Sequence, residues 1–240
     1  MAAHTRTTTA TLILMTITLT DSALLRLLQL GSAALPVGGY SFSQGLEYAV
    51  EIGWVSSLDS CEDWLSLGLR DGVGGLDLPV ASRLYRALED GDRDAFQYWN
   101  DFALAARESR ELLMADEAMG QALLRLLRQL PQPLPDTASG MQASFLGAFV
   151  ATAWQWQISE SACQIGLAWC WLEAQIAAAT KLIPLGQTQA QQLLGRMQTA
   201  LPPVIAHAAS LDDDALGATL PGLAMASALH ETQYCRLFRS

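Results

Sequence analysis

An all-α fold is the class this sequence predicts, on three observations. Apolar residues recur with 3.6-residue periodicity from Asp21 onward, and the strict alternation of half-buried strands is almost absent. The chain has 240 residues, 51% of them hydrophobic, enough to bury one core. The expected architecture is a single-domain bundle of roughly ten helices spanning residues 21–240. Residues 1–20 carry one arginine and a short apolar run without a small-residue cleavage site, and are expected to be a disordered or mis-assigned extension.

Each helix has its own signal. Leu24, Leu25 and Leu28 form a first helix, with Asp21 placed to cap it. A second runs through Leu46, Val50 and Trp54, and a third from Ser60 through Trp64 and Leu67. Pro79 opens a fourth that ends near Gly91. Asp92 caps a long helix through Phe96, Trp99 and Phe102, continuing or kinking near Asp116 and ending at Leu130, where PQPLP interrupts the chain. Residues 137–159 contain no charged side chain, long enough to raise a transmembrane reading. Three glutamines within that stretch, and a following helix over residues 161–183 that can pair with it, favour a buried antiparallel hairpin. Two more helices are expected around residues 189–199 and 220–229, with an Asp-Asp-Asp loop between them.

Composition narrows the function. The net charge of −10 opposes binding to a nucleic acid duplex. A low charged fraction and positive mean hydropathy point to surface covered by an oligomer or an obligate partner. Cys61, Cys163, Cys170 and Cys235 form no CxxC pair and are expected to be free thiols.

Candidate chemistry is sparse. The stretch ALPVGGYSFSQGLEYAVEIGWV, residues 34–55, suggests a phosphate loop, but the lysine of that motif is missing and no strand precedes the glycines. Gly38 and Gly39 after Pro36 suit a sharp turn from which Tyr40 projects, either structural or partner-binding. Cys163 and Cys170 lie about 10 Å apart along a helix, too far to share one ion, and the histidines are scattered. No catalytic, cofactor or metal site is expected. Arg107, Glu108, Arg110 and Glu111 form a charge group between apolar flanks, and Arg107 with Glu111 has the spacing of an i,i+4 ion pair. Lys181, the only lysine, closes a helix before Pro184, as a cap or an interface residue. The last residues, HETQYCRLFRS, are aromatic and basic: His230, Glu231, Tyr234, Arg236, Leu237, Phe238 and Arg239 read as a recognition tail that docks on the body, contacts a partner, or both.

The ordered blocks LPVGGYSFSQGLEYAVEIGWV, DLPVASRLYRALEDGD, RESRELL, KLIPLGQ and HETQYCRLFRS resemble, in order and spacing, the urease accessory protein F family (UreF) over residues 24–240. The resemblance implies an all-helical, homodimeric, cytoplasmic protein with no catalysis and no cofactor of its own. It implies a scaffold joining a UreD/UreH-like accessory protein and the UreG-like GTPase, a checkpoint on GTP hydrolysis during nickel loading of apo-urease, with no dedicated high-affinity nickel site. Family tails commonly carry serine where Cys235 stands, and often a basic residue where Leu229 stands. Alternatives are a direct GTPase-activating protein with Arg107, Arg236 or Arg239 as arginine finger, and a peripheral membrane protein using residues 137–159. The family blocks also suggest that the Gly38-Gly39-Tyr40 turn supports the tail, with the Tyr40 hydroxyl or a nearby carbonyl accepting from Arg236.

Overall fold

A computed structural model describes residues 19–240 except 132–133, 139–141, 143 and 218; the expectation for the extension falls almost wholly outside them. Among the described residues the fold is all-α. The helices are α1 (Asp21–Leu30), α2 (Leu46–Glu51), α3 (Leu58–Leu67), α4 (Leu78–Glu89), α5 (Arg93–Ala105), α6 (Arg110–Leu127), α7 (Phe145–Gln155), α8 (Glu160–Leu182), α9 (Gln187–Ala209) and α10 (Pro221–His230).

The uncharged stretch lies at the centre, as a hairpin should. Phe149, Val150 and Ala153 of α7 and Cys163, Ala168, Leu172 and Ala179 of α8 are fully buried, and α8 touches α1, α2, α4 and α9. A helix apolar on all sides needs such surroundings to be stable. Among the described residues no helix is long and apolar enough to cross a membrane.

Several boundaries differ from the sequence expectation, each for a local reason. Thr20, not Asp21, caps α1 by accepting from the Ala23 N–H at 3.1 Å. Helix α2 stops at Glu51 because Gly53 turns the chain with φ 79°, and Trp54 lies beyond it, half exposed. The expected long helix is two helices. Ser109 starts α6 by accepting from Leu112 N–H, and its hydroxyl also meets Ser227 of α10 at 2.7 Å, so the break at residues 106–109 is tied to tertiary contact. Asp116 falls inside α6, which runs unbroken from Arg110 to Leu127. Helix α9 runs on through Pro202 and Pro203 to Ala209. An internal proline costs about 3 kcal/mol, and the buried stripe Leu193, Met197, Leu201, Ile205 and Ala208 offsets it.

The third and fourth helices are joined. Residues Gly68–Asp77 form a π-helical stretch continuous with both. Its glycines are sites of close packing: a Cβ at Gly68 would lie 2.9 Å from the Trp171 ring, and one at Gly74 would lie 2.6 Å from Val204 Cγ1.

Candidate functional site

Three helix ends converge under the tail. Glu47 lies in the first turn of α2, Glu111 in the first turn of α6, and His230 in the last turn of α10. Each charge has the sign that its helix dipole favours. His230 is fully buried, with Nδ1 2.7 Å from Glu111 Oε2 and Nε2 2.9 Å from Glu47 Oε2. Ionised carboxylates only accept, so with both ionised the ring donates from both nitrogens and is a cation. Arg236 Nη1 donates to Glu111 Oε1 at 2.8 Å. Two carboxylates, one imidazolium and one guanidinium then form a neutral cluster. Such balance is what makes burial of charge tolerable.

The carboxylate of Glu47 also seats the tail backbone. Leu237 N–H donates to Glu47 Oε1 at 2.6 Å and Phe238 N–H to Oε2 at 2.9 Å. The Arg239 N–H donates to the Ser41 carbonyl at 2.8 Å, and the Ser240 carbonyl accepts from Ser43 N–H at 2.5 Å and from Ser43 Oγ at 2.9 Å. Phe238 is buried, with Lys181 Nζ 5.3 Å from its ring centroid, and the Arg239 guanidinium lies 5.9 Å from the Phe42 ring. Lys181 thus sits both at the end of α8 and against the tail. Docking leaves Tyr234 fully exposed and Leu237 64% exposed, and Met225 and Leu229 on α10 are exposed too. Glu231 is exposed as well.

Two expected pairings are replaced. Arg236 does not bond Tyr40, whose hydroxyl donates instead to Glu173 Oε2 at 2.7 Å. The glycine turn still borders the tail through the Ser41 carbonyl, and of its two glycines only Gly38 takes positive φ, at 79°, while Gly39 opens a short 3-10 turn. Arg107 does not pair with Glu111, because the helix is interrupted between them. Its Nη1 faces Asp77 Oδ1 at 2.9 Å and its Nη2 faces Asp116 Oδ1 at 3.5 Å. Burial works against the Arg107 charge, but Asp116 and Asp77 outweigh it and hold the group cationic. Burial raises the Asp116 carboxyl above its usual range, although Arg107 opposes this. Glu108 accepts from Leu220 N–H at 3.5 Å, and Arg110 is exposed at the start of α6.

Glu47, Asp77 and Asp116 were not among the sequence candidates. Their signal is a carboxylate set among apolar residues, solitary in GLEYAV and GGLDLPV and paired with Glu117 in LLMADEAM. With Arg107 and Arg236 held by internal carboxylates, Arg239 is the candidate finger whose guanidinium has no carboxylate partner among the described ion pairs.

The thiols are free and differ sharply in access. Cys61 and Cys163 are buried, Cys170 is partly buried, and Cys235 is exposed. Burial, with Glu62 adding, pushes the Cys61 thiol up to about 11; burial, with Glu173 adding, pushes Cys170 up to about 12. Since the thiolate is the reactive form, titration of the folded protein with Ellman's reagent at pH 8 should show one fast-reacting thiol. Cys235→Ser should remove that phase; a fast phase that survives the substitution would contradict the assignment.

A family model described as UreF matches residues 55–198. The urease accessory protein UreF of Marinomonas sp. (strain MWYL1) is 48% identical over 221 residues, covering 92% of this chain and 96% of that one. The urease accessory protein UreF of Teredinibacter turnerae is 49% identical over 220 residues, covering 92% of this chain and all of that one. The matched region includes the π-helical stretch, the Arg107 group and the α7–α8 hairpin, and the relatives extend the likeness along most of the chain, so the chain belongs to the UreF family of urease accessory proteins.

Proposed function

We propose that this protein is a non-catalytic cytoplasmic scaffold for urease maturation. It joins a UreD/UreH-like accessory protein to a UreG-like GTPase and acts as a checkpoint on GTP hydrolysis while nickel, the cargo, is loaded into apo-urease. The observation that carries this reading is the docked tail. Its backbone is held by Glu47, while Tyr234 and Leu237 stay exposed, an arrangement that presents contact groups with little ordering cost on binding. Arg239 and Lys181 bring positive charge to this part of a chain whose net charge is −10, which suits an acidic partner surface. A homodimer is supported by α1, where Leu25 and Leu28 stand 67% and 61% exposed.

The test is co-expression with the UreD-like and UreG-like partners and capture through the UreD-like protein. Tyr234→Asp combined with Leu237→Asp changes only side chains that the body does not bury. The doubly substituted chain should keep its melting temperature and its UreD-like partner, and lose retention of the GTPase. Equal retention of the GTPase by both chains would sink the tail as its recruitment surface.

A further inference from the structure

A cavity of about 390 Å³ lies between the glycine turn, the π-helical stretch, α6 and α8, and nothing in the scaffold role uses it. Its volume falls within the roughly 300–1,000 Å³ of small-molecule pockets. Most of the wall is apolar, including Leu35, Val73, Leu112 and Met119. The charged groups on it are unbalanced: Asp77, Glu108, Asp116 and Glu173 face a single guanidinium, Arg107. Glu173 is occupied by the Tyr40 hydroxyl and Glu108 by the Leu220 N–H. Asp116 is only partly satisfied. It is 5% exposed and its Oδ2 has no hydrogen-bond partner, while Asp77 Oδ1 lies in an ion pair with Arg107 at 2.9 Å and Arg107 Nε is itself unpartnered. A native interior rarely leaves such a carboxylate oxygen without a purpose.

We infer that this cavity binds a small organic cation, an ammonium or guanidinium head on an apolar body, with the head at Asp116 and Asp77. The head supplies the donor that Asp116 Oδ2 lacks and offsets the charge imbalance. The body covers the leucine and methionine wall, and the Trp171 and Tyr40 rings on the same wall add aromatic faces suited to a cation. A hydrated metal ion fits poorly. Its water shell would find few partners on an apolar wall, and among the described residues no group of three or more His, Cys, Asp or Glu could hold a metal. Two further features agree. A π-helical stretch forms one side, a geometry frequent at functional sites. Ser32 and Thr219 are exposed at the rim, which supplies an entry.

The experiment is calorimetric titration of the full chain with hexylammonium chloride, with 1-hexanol as a neutral probe of the same length. Saturable one-to-one binding of hexylammonium, at least tenfold tighter than hexanol, is expected, and Asp116→Asn should reduce it to the level of hexanol. Equal affinity for the two probes would show an apolar void only and overturn the proposal, as would no binding of either. Hexylammonium binding that persists unchanged in Asp116→Asn would assign it to the acidic exterior and overturn the proposal equally. If Asp116→Asn does not fold, Asp77→Asn takes its place, with the same result expected and the same results overturning the proposal. None of these outcomes depends on GTPase recruitment, so the scaffold reading and this one stand or fall separately.

Discussion

Glu47→Ala is expected to destabilise the protein by about 3–5 kcal/mol, the range for removing one partner of a buried charged network. Glu47 is 6% exposed and accepts three hydrogen bonds, from His230, Leu237 and Phe238. Alanine leaves two backbone donors and one ring nitrogen without an acceptor in a site that water scarcely reaches. It also leaves His230 and Arg236 sharing the single carboxylate of Glu111. Urea titration followed by circular dichroism should show a clearly lower midpoint, and limited proteolysis should cut within residues 231–240 before the body unfolds. Glu47→Gln retains one acceptor oxygen and should fall between the two proteins. An alanine variant with the wild-type midpoint would mean that the cluster is solvated and that the tail is not seated as described.

Gly147→Ala should also lose about 3 kcal/mol, against the sign that helix propensity alone assigns. Alanine within a helix normally gains about 0.5–1 kcal/mol over glycine. Here a Cβ would stand 2.6 Å from Asn100 Oδ1 and 3.3 Å from Ser144 Oγ. Asn100 cannot move aside freely, because it is fully buried and its Oδ1 accepts from Ser144 N–H at 2.9 Å and Ser144 Oγ at 3.0 Å, while its Nδ2 donates to the Gln142 carbonyl at 3.0 Å. Ser144 in turn caps α7 through the Gly147 N–H at 2.8 Å. Overpacking costs about 1–3 kcal/mol, and breaking a buried hydrogen bond about 1–3 more. The denaturation midpoint is the measurement. A midpoint at or above wild type would show that the Asn100 network yields and that propensity wins.

The two predictions mark where local rules stop being sufficient. Gly147, Gly68 and Gly74 look in sequence like weak points in helices, and nothing nearby in the chain says that Asn100, Trp171 or Val204 will press against them. Pro202 and Pro203 look like a terminus, and a buried stripe carries α9 past them. Arg107 and Glu111 look like an ion pair until Ser109 starts a new helix between them.

By itself the sequence determined the all-α class, the central hairpin made from an uncharged stretch, the free thiols, the helix start at Asp92, and the likeness to UreF. These rest on periodicity, capping chemistry and ordered motifs, all of which act over a few neighbouring residues or are matched in linear order. Only the tertiary structure decided which charges meet. Glu47 and His230 are 183 positions apart, and Glu111 and Arg236 are 125 apart, yet each pair forms a hydrogen bond beneath the tail. Ion pairs are chosen by which helix ends packing brings within about 3 Å, and by the cost of leaving any of them unpaired once water is excluded. That choice is made by the whole core at once.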